Sequence, residues 1–156
     1  FVDSMYVAWD QFRRDAVTDL VRSVHQKTQE TANNIVLSAA VKPNLLDASH
    51  RWYQEWDKWI LDGIIDFVVP MNYFSEIRDF NNAVQIIKSK LTSDDLNIVI
   101  IGVSTYNQDA QSAADKILLA RLNGFRGVSI FSWNSHKDNL DWFQPIIEAL
   151  GQPVFD

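Results

Sequence analysis

The sequence predicts an α/β fold: about four parallel strands with flanking helices, forming the second half of a TIM-like (β/α)8 barrel. Three observations predict it. Four short apolar runs, 35–41, 64–70, 98–103 and 127–133, are rich in Val and Ile and apolar on both faces, as parallel strands covered on both sides are. They start roughly 30 residues apart with amphipathic segments between them, the period of a βα repeat. Three of them end in an aromatic residue beside an asparagine: Asn72-Tyr73, Tyr106-Asn107 and Trp133-Asn134. Ligands gather at the C-terminal ends of parallel strands, so this recurrence marks a site as well as a fold. The alternative is a doubly wound parallel sheet. That fold concentrates its ligand groups at one switch point, whereas here consecutive strands all carry polar tips. Its nucleotide-binding versions also want a glycine-rich phosphate loop, and neither GxGxxG nor GxxxxGK[ST] occurs.

The first helix is expected over about 10–30, with Val17, Leu20, Val21 and Val24 on its buried face. Phe12-Arg13-Arg14-Asp15 opens it, and the arginines are expected to anchor the preceding loop through ion pairs. After the first strand come Lys42 and Asn44, which complete the polar arc. Trp52, Trp56 and Trp59, at four- and three-residue spacing, read as one helical face packed on the sheet. Phe80, Ala83, Val84, Ile87 and Leu91 form the stripe of the next helix, and Ala110, Ala113, Ala114, Ile117 and Leu118 that of the last. Gly63, Gly124 and Gly151 stand where helices hand over, as C-caps.

The 156 residues fit one domain, with 47% hydrophobic and 22% charged residues. A net charge of −6, without any basic stripe, argues against nucleic acid and against anionic lipid as partners. Cysteine is absent, which excludes disulfides and thiolate metal sites. No apolar run approaches the ~18 residues that would cross a bilayer. The chain begins at Phe1, which suits a processed or longer parent and a lost signal peptide. A half-barrel has two unpaired edges, so a missing N-terminal half of the same polypeptide, or a second copy, is expected to close it.

His25, His50 and His136 are far apart and share no metal-ligand spacing, and no GxSxG elbow is present. No cofactor is implied. Glycoside hydrolysis normally uses two facing carboxyl groups. Glu76, three residues beyond Tyr73, is the candidate catalytic acid; its plainer role is that of an acid at a helix N-terminus. Asp109 carries the same ambiguity, and Asp66, early in its strand, reads as a structural ion pair or cap. For binding, Tyr73, Tyr106 and Trp133 offer faces that stack on sugar rings. Asn72, Asn107 and Asn134 offer amides for hydroxyls, while Lys42 and Asn44 suit an anionic or N-acetyl group.

In order along the chain stand Phe12-Arg13-Arg14, Leu37-Ser38-Ala39-Ala40, Trp56-Asp57-Lys58-Trp59, Gly63-Ile64-Ile65-Asp66 with Pro70-Met71-Asn72-Tyr73, and Phe131-Ser132-Trp133. This series, from about 9 to 150, resembles the glycoside-hydrolase-like family 10 proteins. The resemblance implies a (β/α)8 barrel of bacterial envelopes, secreted, periplasmic or lipid-anchored, that cleaves peptidoglycan-like glycan strands. It aligns this chain with strands five to eight, places Phe1 to Trp9 in the loop after strand four, and leaves the family's aspartate-rich motif in the N-terminal half. A glycosidase with its main acids in that half is the leading expectation; a non-catalytic carbohydrate-binding barrel is the other.

Overall fold

The structure is a computed structural model describing residues 2–31 and 34–151. Helix α1 (Val2–Thr31) leads into β1 (Ser38–Val41), α2 (Leu45–Arg51) and α3 (Trp56–Leu61). Strand β2 (Phe67–Pro70) is followed by α4 (Ile77–Lys88) and the short α5 (Ser93–Leu96), and β3 (Ile100–Ser104) by α6 (Ala110–Leu122). Strand β4 (Gly127–Phe131) runs through two 3-10 turns, Trp133–Ser135 and Leu140–Phe143, into α7 (Gln144–Gly151).

The strands are parallel and neighbour one another in chain order. β1 pairs with β2 and β3 with β4, while Val68 bridges to Val99 and donates its N–H to the Ile98 carbonyl at 2.9 Å. A doubly wound sheet needs a reversal of strand order, and the described strands contain none. Right-handed crossovers that always step the same way leave every helix on one side. Residue exposure agrees. Val41, Val68, Val99, Ile101 and Val103 face a core built with Trp56, Trp59, Phe80, Val84, Ile87, Ala113 and Ile117. The alternate residues are less covered: Ser38, Ala40 and Phe131 are exposed and Phe67, Val69, Ile100 and Ser129 half-buried, with Gly102 and Ser104 of β3 buried among the strand-end loops. The expected cover on both faces is therefore corrected to cover on one.

Asp66 lies at the opening of β2 and works as a clamp. Its carboxylate accepts from the Leu37 N–H at 2.6 Å, and its own N–H donates to the Leu37 carbonyl at 2.9 Å. Gly63 and Gly124 take φ of 65° and 85° as C-caps. Gly151 instead closes α7 as a helical residue.

Three expectations about helices are corrected. α1 starts at Val2, so residues 2–9 are helical rather than a loop; neither proline nor glycine interrupts 2–31. Its stripe is split: Val17 and Val21 pack on the core, whereas Leu20 and Val24 stay exposed. Polar ties hold it instead, from the Trp59 indole to Thr18 at 2.9 Å and from Arg14 to Glu55 at 3.7 Å. The third correction concerns the tryptophans. Trp56 and Trp59 are buried, but Trp52 is half-exposed, because Tyr53 at φ 58° breaks the helix between them.

The turn into α5 is capped reciprocally. Thr92 Oγ1 accepts from the Asp95 N–H, and the Asp95 carboxylate accepts from the Thr92 N–H and hydroxyl. Those bonds, the hydroxyl's first, hold the Asp95 carboxyl below its usual 3.8. The folded state thus gains from ionised Asp95 above that value and loses the gain as pH falls through the lowered one. Thr92→Ala is expected to cost about 1 kcal/mol at neutral pH and to flatten this acid-side loss. Urea unfolding at neutral and acidic pH checks both.

Candidate functional site

The C-terminal ends of the four strands open into loops at Lys42–Asn44, Met71–Glu76, Thr105–Asp109 and Ser132–His136. What knits the loops after β2 and β3 is a fully buried cation. Lys116, on α6, donates to the Ser75 carbonyl and to Gln108 Oε1, and Gln108 donates onward to the Ser104 carbonyl. The Ser104 hydroxyl donates to Asn107 Oδ1 at 2.6 Å, and Asn107 Nδ2 donates to the Tyr73 carbonyl at 2.9 Å. The chain of bonds therefore runs from α6 through the β3 tip to the β2 tip. Burial lowers the Lys116 ammonium from its usual 10.5, opposed by the charges of Glu76, Asp109 and Asp115. On the other side of β3, the Thr105 hydroxyl donates to the Ser132 carbonyl at 2.9 Å, and His136 Nε2 donates to the Thr105 carbonyl at 2.8 Å.

Upon this frame sit two aromatic groups. The Tyr73 ring lies parallel to Phe131 with centroids 5.4 Å apart, and Tyr106 stands edge-on to both at 6.3 Å. Gly102 makes room for this: a Cβ there would lie 2.8 Å from the Pro70 carbonyl oxygen and 3.0 Å from Tyr73 Cε1. Burial, with the neighbouring Tyr106 phenol, pushes the Tyr73 phenol above its usual 10.0. The second group belongs to the β4 loop, where Trp133 stacks on Phe143 at 5.0 Å and His136 on Trp142 at 3.9 Å.

Tyr73 also borders a groove of about 420 Å³, lined by Lys42, Pro43, Asn44, Asp47, Arg51, Trp52, Met71 and Phe74 as well. Thus Lys42, Asn44 and Tyr73 come together, as do Tyr73 and Tyr106. Trp133 and Asn134 stand on their own 3-10 turn, with exposed side chains. Asn72 is 1% exposed: its Nδ2 donates to the Phe80 carbonyl at 3.1 Å, and its Oδ1 has no partner. Asn107 has both ends of its amide engaged in the loop network. Asn44 caps α2, with Oδ1 accepting from the Leu46 and Asp47 N–H groups. Glu76 stands at the N-cap of α4, exposed and without a capping side-chain bond. Asp109 does cap α6; the Ser112 N–H and hydroxyl hold its carboxyl below the usual value. Among the described residues no three His, Asp or Glu side chains gather as a metal site, and no helix is long and apolar enough to cross a membrane.

Sequence reasoning missed Phe131, Trp52, Arg51 and Lys116. Phe131 shares strand parity with Gly127 and Ser129, an uncovered face that the apolar run disguised. Lys116 interrupts the stripe Ala113, Ala114, Ile117, and a charge inside a buried stripe was the available signal.

The model of the glycosyl hydrolase-like 10 family matches residues 2–117. The chain belongs to that family. The match takes in the Lys42 groove, Tyr73, Tyr106 and Lys116, and ends within α6 before β4. Membership points to a function on carbohydrate. No curated protein and no solved structure matches the chain.

Two substitutions probe this frame. Gly102→Ala must displace the Pro70 backbone, so a loss of about 1–3 kcal/mol is expected, with a changed near-ultraviolet tyrosine spectrum. Lys116→Met strands two acceptors and is expected to cost about 1–3 kcal/mol. Its pH signature has a definite sign. Between the lowered folded value and 10.5 the unfolded chain holds more protons, so this lysine makes stability rise with pH. Above 10.0 Tyr73 acts oppositely, because the folded state keeps the phenolic proton. Denaturant melts from neutral pH to below 10 should show the rise in the native protein and lose it in Lys116→Met.

Proposed function

We propose that this protein is a glycoside hydrolase acting on an amino-sugar glycan of the bacterial envelope. The observation that carries the reading is the aromatic and polar rim at the strand ends, built on Tyr73, Tyr106 and Phe131 within a glycosyl hydrolase-like family member. Its four strands are read as the C-terminal half of a (β/α)8 barrel. Two features support that: the chain-order sheet and its one uncovered face, which four further strands would turn into a barrel interior. Those strands come from an N-terminal half of the polypeptide or from a second copy.

Sugar rings stack on Tyr73 and Tyr106, with Trp133 and Asn134 extending the contact beyond β4 and Lys42 and Asn44 below β1. Asn72 and Asn107 act from behind, holding the loops that present the rings. For cleavage, one carboxylic acid protonates the leaving glycosidic oxygen as the oxocarbenium-like centre develops, and a second carboxylate serves as base or nucleophile. Glu76, uncommitted to capping, takes one role, and the additional half-barrel supplies the other. The reading carries with it an envelope location: secreted, periplasmic or lipid-anchored.

One observation favours a second reading, a non-catalytic carbohydrate-binding barrel: Asp109 is spent on its cap, so it does not serve Glu76 as a partner acid. In the protein carrying the whole barrel, Glu76→Gln is expected to lower kcat on amino-sugar glycan by roughly 10²–10⁴-fold with KM little changed. Tyr73→Ala is expected to raise KM. Glycan binding with no turnover of any polysaccharide would decide for the binding module, and neither binding nor turnover would end both readings.

A further inference from the structure

The groove between the β1 and β2 tips has a chemistry that a neutral sugar does not use. Lys42 and Arg51 both line it, and among the described residues no carboxylate lies within ion-pair distance of either. Among the described residues Arg13, Arg14, Arg22, Lys27, Lys58 and Arg78 are paired with carboxylates, while Lys88, Lys90, Lys116, Arg121, Arg126 and Lys137 share with Lys42 and Arg51 the lack of such a partner. What sets Lys42 and Arg51 apart is that they line one groove together, in a chain whose net charge is −6. Asp47 is the one carboxylate on the lining, and it stands four residues before Arg51 on α2 without pairing to it.

The groove is also pre-shaped. The Lys42 ammonium sits 4.3 Å above the Trp52 ring, which fixes a flexible side chain against the wall. Its backbone is pinned as well: the Lys42 N–H donates to Gln54 at 2.9 Å, and the Trp56 indole donates to the Lys42 carbonyl at 3.0 Å. Trp52, Phe74 and Tyr73 add apolar faces, and Asn44, capping through Oδ1 alone, keeps its Nδ2 donors for a ligand.

We infer that this groove receives a carboxylate-bearing sugar, with Lys42 and Arg51 as its anion receptor and Trp52 and Tyr73 as the walls for its ring. The inference rests on the glycan reading above and narrows it to acidic glycans. The carboxylate belongs either to the sugar ring or to an acid ether-linked to an amino sugar; both present the same anion to the same two cations.

Isothermal titration of the protein with four tetrasaccharides tests it: oligogalacturonate, an alternating glycan containing N-acetylmuramic acid, and the neutral chitotetraose and cellotetraose. At least one acidic ligand is expected to bind more tightly than both neutral ones and to weaken with salt. Lys42→Gln and Arg51→Gln should each weaken that ligand by roughly tenfold and narrow its margin over the neutral sugars. Which acid binds identifies the source of the carboxylate. Equal affinity for acidic and neutral sugars, indifferent to both substitutions, overturns the inference and leaves the glycan reading standing. Binding of none of the four overturns both.

Discussion

A single buried ammonium sets the geometry on which the strand-end site depends. Lys116 has no exposed surface, so its charge must be met by protein atoms or its burial would be prohibitive. It is met by the Ser75 carbonyl on the loop after β2 and by Gln108 on the loop after β3. Gln108 and Asn107 then pass the constraint to Ser104 and Tyr73, so the phenol ring is aimed by a lysine on a helix behind the sheet. The lowered proton affinity of Lys116 records the cost of that placement.

The other constraint is steric. Strands running in chain order with helices on one side leave the opposite face without a layer, and the residues there are uncharged: Ser38, Ala40, Phe67, Val69, Ile100, Gly102, Ser129 and Phe131. Gly102 sits where β2 and β3 crowd together, and its missing side chain lets Tyr73 reach Phe131. Rim and uncovered face thus share residues, which is why fold and site have to be read together.

Much of this was legible in the chain because it rests on local pattern. The apolar runs around Val68, Ile101 and Ile130 announce parallel strands, Gly63 and Gly124 mark helix ends, and the recurrent aromatic–asparagine tips locate the rim. What was hidden depends on partners distant in sequence or on single dihedral angles. Asn72 looks like a surface amide until the Phe80 carbonyl is seen to accept the hydrogen bond from its Nδ2. Tyr53 at positive φ swings Trp52 out of the tryptophan stripe and into the groove, which no spacing rule announces. The uncovered face was masked because Val and Ile occupy both parities of the strands, and only the direction of the crossovers decides which parity a helix covers.

The most direct test of the account is a map of backbone amide shifts as an amino-sugar oligosaccharide is added to the protein. Shifts concentrated at Lys42, Tyr73, Ser75, Gly102 and Tyr106, at the C-terminal ends of the strands, are the predicted result. Shifts confined to α1 or to the opposite ends of the strands, around Leu37 and Asp66, would contradict it.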